Sequence, residues 1–408
     1  MIPRKRRWPW LIAAVLACFG AYLAAWPVAI EPVAWTPPPA PEAAGVYAPN
    51  ERLRAIERLA AGMLVGPEYL DVDAQGRLYT GTLDGRLLRL EADGSGVVEL
   101  ARTGGRPIGL RVLRDGTLIV ADGARGLLRV APGGVVEVLA SSHDGLPFGL
   151  TDDVAVSADE RVAWFTDASN RHGVDDHLDD ILEHGGRGRL LRIDLATRET
   201  TLLRDGLEFA NGVVPGPGER YLLVCETGSY RVLRHWLAGP RAGQTETFAD
   251  NLPGFPDNIT FDGRDHYWVA LANPRNAALD RLGPYPRLRK VVARLPPFLR
   301  PQPVRHGYVV ALDLDGRVVD SLQYAGDDAY APVTTVRQIG DWLYLGSLDQ
   351  PAIVQYGRWI GGVLTGDAGI SMTSNRPVME AVLPALGRSL LLAGIALVIM
   401  ATGAILLG

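Results

Sequence analysis

Between residues 50 and 358 the chain alternates apolar and polar positions in short runs, and each run ends in a small polar turn. The first copy of the pattern is YLDVDAQGRLYTGTLDGRLLRLEADG from Tyr69, and the second is GLRVLRDGTLIVADGARGLLRVAPGG from Gly109. The third opens DVAVSADERVAWFTDAS at Asp153 and resumes at GRLLRIDLATRETTLL. The fourth starts at Gly212, the fifth at Asn258 and the sixth at Thr334. Alternation with a period of two predicts half-buried strands, and turns such as DAQG, LRDG, SADE and DLDG join strands into antiparallel meanders. Six such units, spaced by roughly 40 residues, stack as a solenoid or close radially. Four strands per unit and six units favour closure into a six-bladed, all-β propeller. A β-sandwich would need no such regular repetition.

Two copies are interrupted. The segment from Asn170 to Gly188 contains VDDHLDDILEHGG, which reads as a short helix. The segment from Asn273 to Arg305 is basic and amphipathic in its middle, with Arg287, Arg289, Lys290, Arg294, Leu295 and Phe298. Insertions of this length lie on one face of a propeller. The second fits either a lid or a segment resting on a membrane surface.

The ends carry a different pattern. Arg4, Lys5, Arg6 and Arg7 precede an uninterrupted apolar run from Trp8 to Ile30, so residues 1–30 are predicted to be a membrane anchor with a cytoplasmic N-terminus. A cleaved signal peptide, including a twin-arginine one, is the rival reading. Residues 31–49 are rich in proline and alanine and read as a stiff linker. Residues 359–380 form a second, glycine-containing linker. Residues 381–408 end in the uncharged run SLLLAGIALVIMATGAILLG, a second candidate span. If both runs cross, both termini are cytoplasmic and the propeller lies on the periplasmic or extracytoplasmic side.

Composition narrows the partners. A net charge of -5 with no basic stripe argues against nucleic acid. Two distant cysteines, Cys18 and Cys225, provide neither a disulfide framework nor a zinc pattern. Trp164, Trp236, Trp268 and Trp342 are expected to pack between blades.

Chemistry concentrates where the copies begin. The first strand of each blade lines the central channel, so the residues just before those strands converge at one mouth. In order these are Glu68, Gly109, Asp152, Asn211, Asp257 with Asn258, and Thr334. Four of the six positions bear a carboxylate or carboxamide. A buried ring of such groups repels itself unless a cation neutralises it. Ca²⁺ accepts six to eight hard oxygens in irregular geometry. Glu68, Asp152, Asn211, Asp257 and Asn258 are therefore the predicted metal ligands, with another divalent cation an alternative. Asp153 is read as structural. Asp152 and His143 are candidate catalytic groups, and His172, like His143, is a candidate general base near the mouth. Ser169 and Thr166 have no partner for a triad, and no G-x-S-x-G elbow is present.

The motifs GPEYLDVDAQGRLYTGTLDGRLLRL, FTDAS, FANGV, ETGSYRVLRHWL, NLPGFPDNI, YWVAL and HGYVVALDLDG resemble the strictosidine synthase-like proteins, above all the adipocyte plasma membrane-associated branch, kin to the paraoxonase and gluconolactonase propellers. The resemblance covers residues 55–356. It implies a six-bladed propeller with a Ca²⁺ held by Glu68, Asp152, Asn211, Asp257 and Asn258, and position 152 is usually Asn in such relatives. The catalytic Glu of true strictosidine synthases has no counterpart, because APVTTVRQIGDW stands at that place. The paraoxonase histidine pair has no match either. The expected function is a membrane-anchored, Ca²⁺-dependent hydrolase of small apolar esters or lactones. The alternative is a non-enzymatic propeller that binds a ligand or protein and uses the cation as a structural pin.

Overall fold

The computed structural model describes residues 8–357. The predicted linker at 359–380 and the span at 381–408 lie outside the described residues. The body is six four-stranded antiparallel sheets. Blade 1 comprises Leu70–Val72, Leu78–Gly81, Arg86–Leu90 and Val98–Arg102. Blade 2 comprises Pro107–Val112, Leu118–Asp122, Gly126–Val130 and Val136–Ala140. Blade 3 runs through Thr151–Val156, Val162–Asp167, Gly188–Asp194 and Thr200–Leu207, and blade 4 through Ala210–Pro215, Tyr221–Glu226, Arg231–Trp236 and Thr245–Ala249. Blade 5 is Gly254–Phe261, His266–Pro274, Gly307–Asp313 and Val318–Tyr324. Each innermost strand touches those of the two neighbouring blades, and blade 1 meets blade 6, so the ring is closed.

Blade 6 is completed from elsewhere in the chain. Thr335–Ile339, Trp342–Gly346 and Ile353–Gly357 supply three strands, and Glu57–Leu59 supplies the outermost one. Leu59 pairs with Ile353 and Glu57 with Gln355. The sixth repeat alone is one strand short, and its missing strand is too brief to announce itself. Pairing the two ends of the body removes the open edges that an unclosed sheet would present.

The core lies between blades. Trp268 is fully buried among Val309, Val336 and Leu345 at the junction of blades 5 and 6. Trp164 and Trp236 are buried as expected, whereas Trp342 is 39% exposed and packs between no blades. It opens its strand on the far side from the mouth, where the sheet ends fray into solvent. Cys225 is buried and Cys18 exposed, both unpaired.

A recurrent cap appears at the end of the second strand. Asp122 accepts hydrogen bonds from the backbone of Arg106, Ala124 and Arg125. Asp167 accepts from Gly149 and Leu150, and Glu226 from Glu208. Each carboxylate satisfies the N–H groups of the segment that enters its own blade.

Helix α1 spans Trp8–Ala25, α2 His177–Glu183, α3 Ala277–Leu282 and α4 Pro286–Arg294. Helices α2, α3 and α4 occupy the two predicted insertions. Among the described residues no helix is long and apolar enough to cross a membrane. The 18 residues of α1 reach about 27 Å. Pro27 follows, and the residue before a proline is steered out of the helical region.

Residues 31–44 form neither helix nor strand and Gly45–Tyr47 make one 3-10 turn, but the segment does not hang free. The Val33 N–H donates to the Glu183 carbonyl and the Trp35 N–H to that of Gly283. Arg275 holds the Pro38 carbonyl and Asn251 that of Pro39.

Closure through Glu57–Leu59 predicts a local vulnerability. Leu59 is 3% exposed and Val98, on the outer strand of blade 1, is 40% exposed. Leu59→Ala is expected to lower unfolding free energy by about 2–4 kcal/mol in urea titration, and Val98→Ala by less than about 0.5 kcal/mol.

Candidate metal centre

The innermost strands of blades 3, 4 and 5 are irregular at the same place. The ladder slips between Thr151 and Val154, between Ala210 and Val213, and between Pro256 and Ile259. Those bulges enclose Asp152 with Asp153, Asn211 with Gly212, and Asp257 with Asn258. A bulge frees residues from the ladder and re-aims their side chains, which is how three strands present oxygens toward the axis.

The register also corrects one position of the predicted ring. Leu110, Val154 and Val213 occupy equivalent places opposite Val120, Phe165 and Val224. Counting back, the residue of blade 2 in line with Asp152 and Asn211 is Ile108, and Gly109 is in line with Asp153. A Cβ on Gly109 would lie 2.6 Å from the Asp152 carbonyl oxygen and 2.7 Å from the Asp153 Cα. Glycine is therefore what lets blade 2 approach the bulge of blade 3. Blade 2 contributes hydrocarbon to the mouth, not oxygen.

The predicted ligands are all buried: Glu68, Asp152, Asn211 and Asp257 are 4–5% exposed and Asn258 1%. The Asn258 amide donates to Asp257 Oδ1 at 3.2 Å. Thr334 Oγ1 donates to the Glu68 carbonyl at 3.0 Å, and the Asn258 N–H to the Thr334 carbonyl. Thr334 thus pins the ring without offering it a free oxygen. The side-chain carbonyls of Asn211 and Asn258 have no hydrogen-bond partner. Two orphaned buried amide oxygens beside three carboxylates are costly unless something positive meets them.

The electrostatics agree. Asp152 is pushed far above the ordinary carboxylate range by burial first, then by the negative charges of Glu68, Asp257, Asp153 and Asp167. Asp257 is raised likewise, by burial and then by Glu68, against a hydrogen bond from Asn211. Glu68 is raised to about 7 by burial, even though Arg106 opposes the shift. These groups sense one another, so the structure brings Glu68, Asp152, Asn211, Asp257 and Asn258 to one mouth. The residue types fit a hard divalent cation, all oxygen donors and no thiolate or imidazole.

Just below the ring the channel is internally neutralised. Asp153 accepts from the backbone N–H groups of Val154 and Val213 and lies 3.4 Å from Arg111, whose guanidinium covers the Tyr69 ring at 4.3 Å. Arg337 pairs with Asp71 at 2.9 Å. Asp153 has the structural role expected of it.

Among the described residues, the His/Cys/Asp/Glu group whose ligand atoms all lie within 4.8 Å of one another is elsewhere, at Asp262, Asp265 and His266. The ring carboxylates are spaced more widely, so a shared ion there draws on the amides too. Asp262 Oδ1 accepts from the backbone of Arg264, Asp265 and His266, so that cluster is a hairpin turn.

The predicted histidines do not join the ring. His143 sits in a two-stranded hairpin with Nδ1 2.9 Å from Thr200 Oγ1 on the outermost strand of blade 3. The channel axis is lined by innermost strands, so His143 stands on the rim, beside a cleft with Leu202 and Asp205. His172 is locked between Asp176 and Glu183 at 3.0 and 3.1 Å. Those bonds outweigh the effect of burial and raise its pKa. Ser169 Oγ accepts from the backbone of Arg171 and His172, and Thr166 Oγ1 from that of Asp153.

A roof covers the mouth. Ile108, Leu150, Ala168 and Phe209 form a hydrocarbon layer with Val174 and Ile181 from the blade 3 insertion. Above it, α2 packs on α4 and α4 on α1. Arg289, 2% exposed, stitches the roof by donating to the carbonyls of Leu182, Glu183, Gly283 and Val33. Trp35 of the linker stacks on His184 at 3.9 Å. An apolar hollow lies among Trp35, Ile181, Leu182, Tyr230, Phe255 and Leu279. Phe255 is two residues from Asp257. Glu208 at the same mouth is raised to about 7 by burial, and His184 is pushed down to about 3 by burial and then by Arg289 and Arg231.

The raised carboxyls set a pH dependence. Between the ordinary Glu value near 4.5 and about 7, Glu68 keeps a proton when folded that the unfolded chain has lost. Stability of the ion-free protein therefore falls as pH rises through that window. Asp152 and Asp257 act in the same direction. Chelator-treated protein is expected to melt lower at pH 8 than at pH 5.5, and added Ca²⁺ to restore the melting temperature at pH 8. Thermal scans across that pH range check it.

Comparison with known proteins follows this geometry. The family described as strictosidine synthase matches residues 152–240, and strictosidine synthase-like, N-terminal, matches residues 45–90. The chain is 37% identical over 307 residues to protein strictosidine synthase-like 6 of Arabidopsis thaliana, covering 73% of this chain and 81% of that one. It is 35% identical over 335 residues to the adipocyte plasma membrane-associated protein of Salmo salar, covering 76% and 80%. Among solved structures, a gluconolactonase from Xanthomonas campestris superposes with a TM-score of 0.53 at 18% identity, covering 74% of this chain and 90% of that one. A calcium-binding regucalcin from Agrobacterium tumefaciens gives 0.50 at 17%, covering 74% and 91%. The two structures share the fold; the two relatives share far more, and on their identity and coverage the chain belongs to the strictosidine synthase-like family.

Proposed function

We propose that this protein is a divalent-cation-dependent hydrolase of small apolar esters or lactones, with Ca²⁺ the ion its ring fits best. The observation that carries this reading is the pair of unpartnered amide oxygens, Asn211 and Asn258, set beside three mutually repelling buried carboxylates. Glu68, Asp152, Asn211, Asp257 and Asn258 would hold the ion. A bound divalent cation supplies Lewis-acid polarisation of a substrate carbonyl at such a site. The rest falls to the chain. Asp152, uncompensated by any arginine of its own, is the group that exchanges a proton at the mouth. The hydrocarbon layer around Ile108 and Phe209 keeps bulk water away. The printed activity of the gluconolactonase neighbour supports the ester and lactone class by analogy of fold. His143, on the rim, is left out of the chemistry.

The roof favours a second reading. With linker, α2 and α4 closed over the mouth, the cation would pin a propeller that binds a ligand or protein and turns over nothing.

We propose further that the chain is held at a membrane bilayer by residues 1–30, with the N-terminus cytoplasmic and the propeller on the periplasmic or extracytoplasmic side. Arg4 to Arg7 upstream, and the exposed Ile12, Leu16 and Phe19 of α1 with Trp26 just beyond it, support this. Alkaline carbonate extraction should leave the protein in the membrane pellet.

Purified protein is expected to hydrolyse members of an aryl-ester and lactone panel in Ca²⁺ and to stop in chelator. Asn211→Ala is expected to lower turnover by about 100-fold with an unchanged circular-dichroism spectrum. Ca²⁺-dependent melting with no turnover on any member would establish the pin.

A further inference from the structure

The ring contains one charge that the predicted ligand set does not include. Arg106 lies two residues before Ile108 and is 5% exposed. Its Nη2 donates to Glu68 Oε2 at 3.2 Å and to the Leu348 carbonyl at 2.9 Å, and the Arg106 and Glu68 side chains are 7% and 6% exposed. Its Nε has no partner. An interior guanidinium with an unsatisfied N–H is costly, and the carbonyl alone does not require an arginine.

Three of the neighbouring carboxylates are neutralised by arginines. Asp153 is paired with Arg111, Asp71 with Arg337 and Asp167 with Arg189. Asp122 is engaged by three backbone N–H groups. Within the ring itself Glu68, Asp152 and Asp257 stand against Arg106: three negative charges less one positive charge leave two.

We propose that Arg106 is a specificity-determining residue of the ring: its guanidinium offsets one of the three carboxylates, so that the site is neutral with a divalent ion and is left with one excess positive charge by a trivalent one. The inference rests on the reading of the ring as a cation site. Its physical basis is that net charge is tolerated poorly in a buried site, while a neutral cluster is tolerated well. Asp152 and Arg106 then act oppositely on the net charge of the ring. The carboxylate adds a charge at a position that an amide could fill, and the arginine removes it again. Holding one Glu68 oxygen, Arg106 also leaves the other free for the ion.

The test is calorimetric titration of the full, chelator-stripped chain with CaCl₂ and with TbCl₃. Arg106→Gln and Arg106→Met remove the charge in two shapes, and each is expected to raise the Tb³⁺-to-Ca²⁺ affinity ratio by at least about tenfold. Arg106→Lys keeps the charge and is expected to keep the wild-type ratio. Asp152→Asn is expected to weaken Ca²⁺ at least about tenfold, and Arg106→Gln with Asp152→Asn to return Ca²⁺ affinity to within about threefold of wild type. An unchanged ratio in both neutral variants, or a double variant no better than Asp152→Asn alone, overturns the charge-matching role and leaves Arg106 a strut between blades. A wild type that binds neither ion overturns the cation site itself, and this inference with it.

Discussion

The arrangement rests on like charges forced together at an axis. Glu68, Asp152 and Asp257 are each buried and each raised by the others, and a flexible chain would let them separate. Radial closure denies them that route. Their positions are set by innermost strands that touch around the full circle, and the circle stays shut because Glu57–Leu59 pairs with Ile353–Gly357. Bulges then turn selected residues of those strands toward the centre. The stress stored at the mouth is thus balanced by packing between blades, far from the chemistry it serves.

The roof changes how that stress is felt. A hydrocarbon layer from Ile108, Leu150 and Phe209 removes water from above the ring, and low dielectric strengthens repulsion among the carboxylates as much as attraction to any ion. The same layer raises Glu208 and lowers His184. The linker takes part directly. Trp35 lies on His184, and its backbone is bonded into the second insertion. A segment that composition marks as a spacer is a component of the site's cover.

Much of this was legible in the chain. The meander repeats, their number, both insertions and the helix inside the first follow from local patterning, because period-two alternation and turn chemistry are written in neighbouring residues. The ring oxygens follow too, since a repeat lets equivalent positions be compared by counting. What escaped is what counting cannot reach. Blade 2 was read at Gly109 where the register places Ile108, because a bulge adds a residue that sequence does not mark. Arg106 sits outside the repeat position and gains its meaning only from Glu68, 38 residues away. The caps at Asp122, Asp167 and Glu226 reach N–H groups 16 to 18 residues away, a pairing that local patterning does not mark. His143 and His172 were drawn toward the mouth by composition, and the fold ties them to Thr200 and to Asp176 with Glu183. The apolar N-terminal run was read as continuing to Ile30, but the helix ends at Ala25, ahead of Pro27.

The strand that closes the circle leaves the ribosome early and finds its partner late. Leu59 must wait for Ile353, some 300 residues downstream, which at about 5–20 residues per second is roughly 15–60 seconds of synthesis. Throughout that interval the nascent chain carries an unpaired sheet edge at each end of a growing arc, and no cation cage exists to be filled. A chain that stalls or is truncated within its last blade therefore emerges as an open arc with two exposed rims, each a template for pairing with another chain.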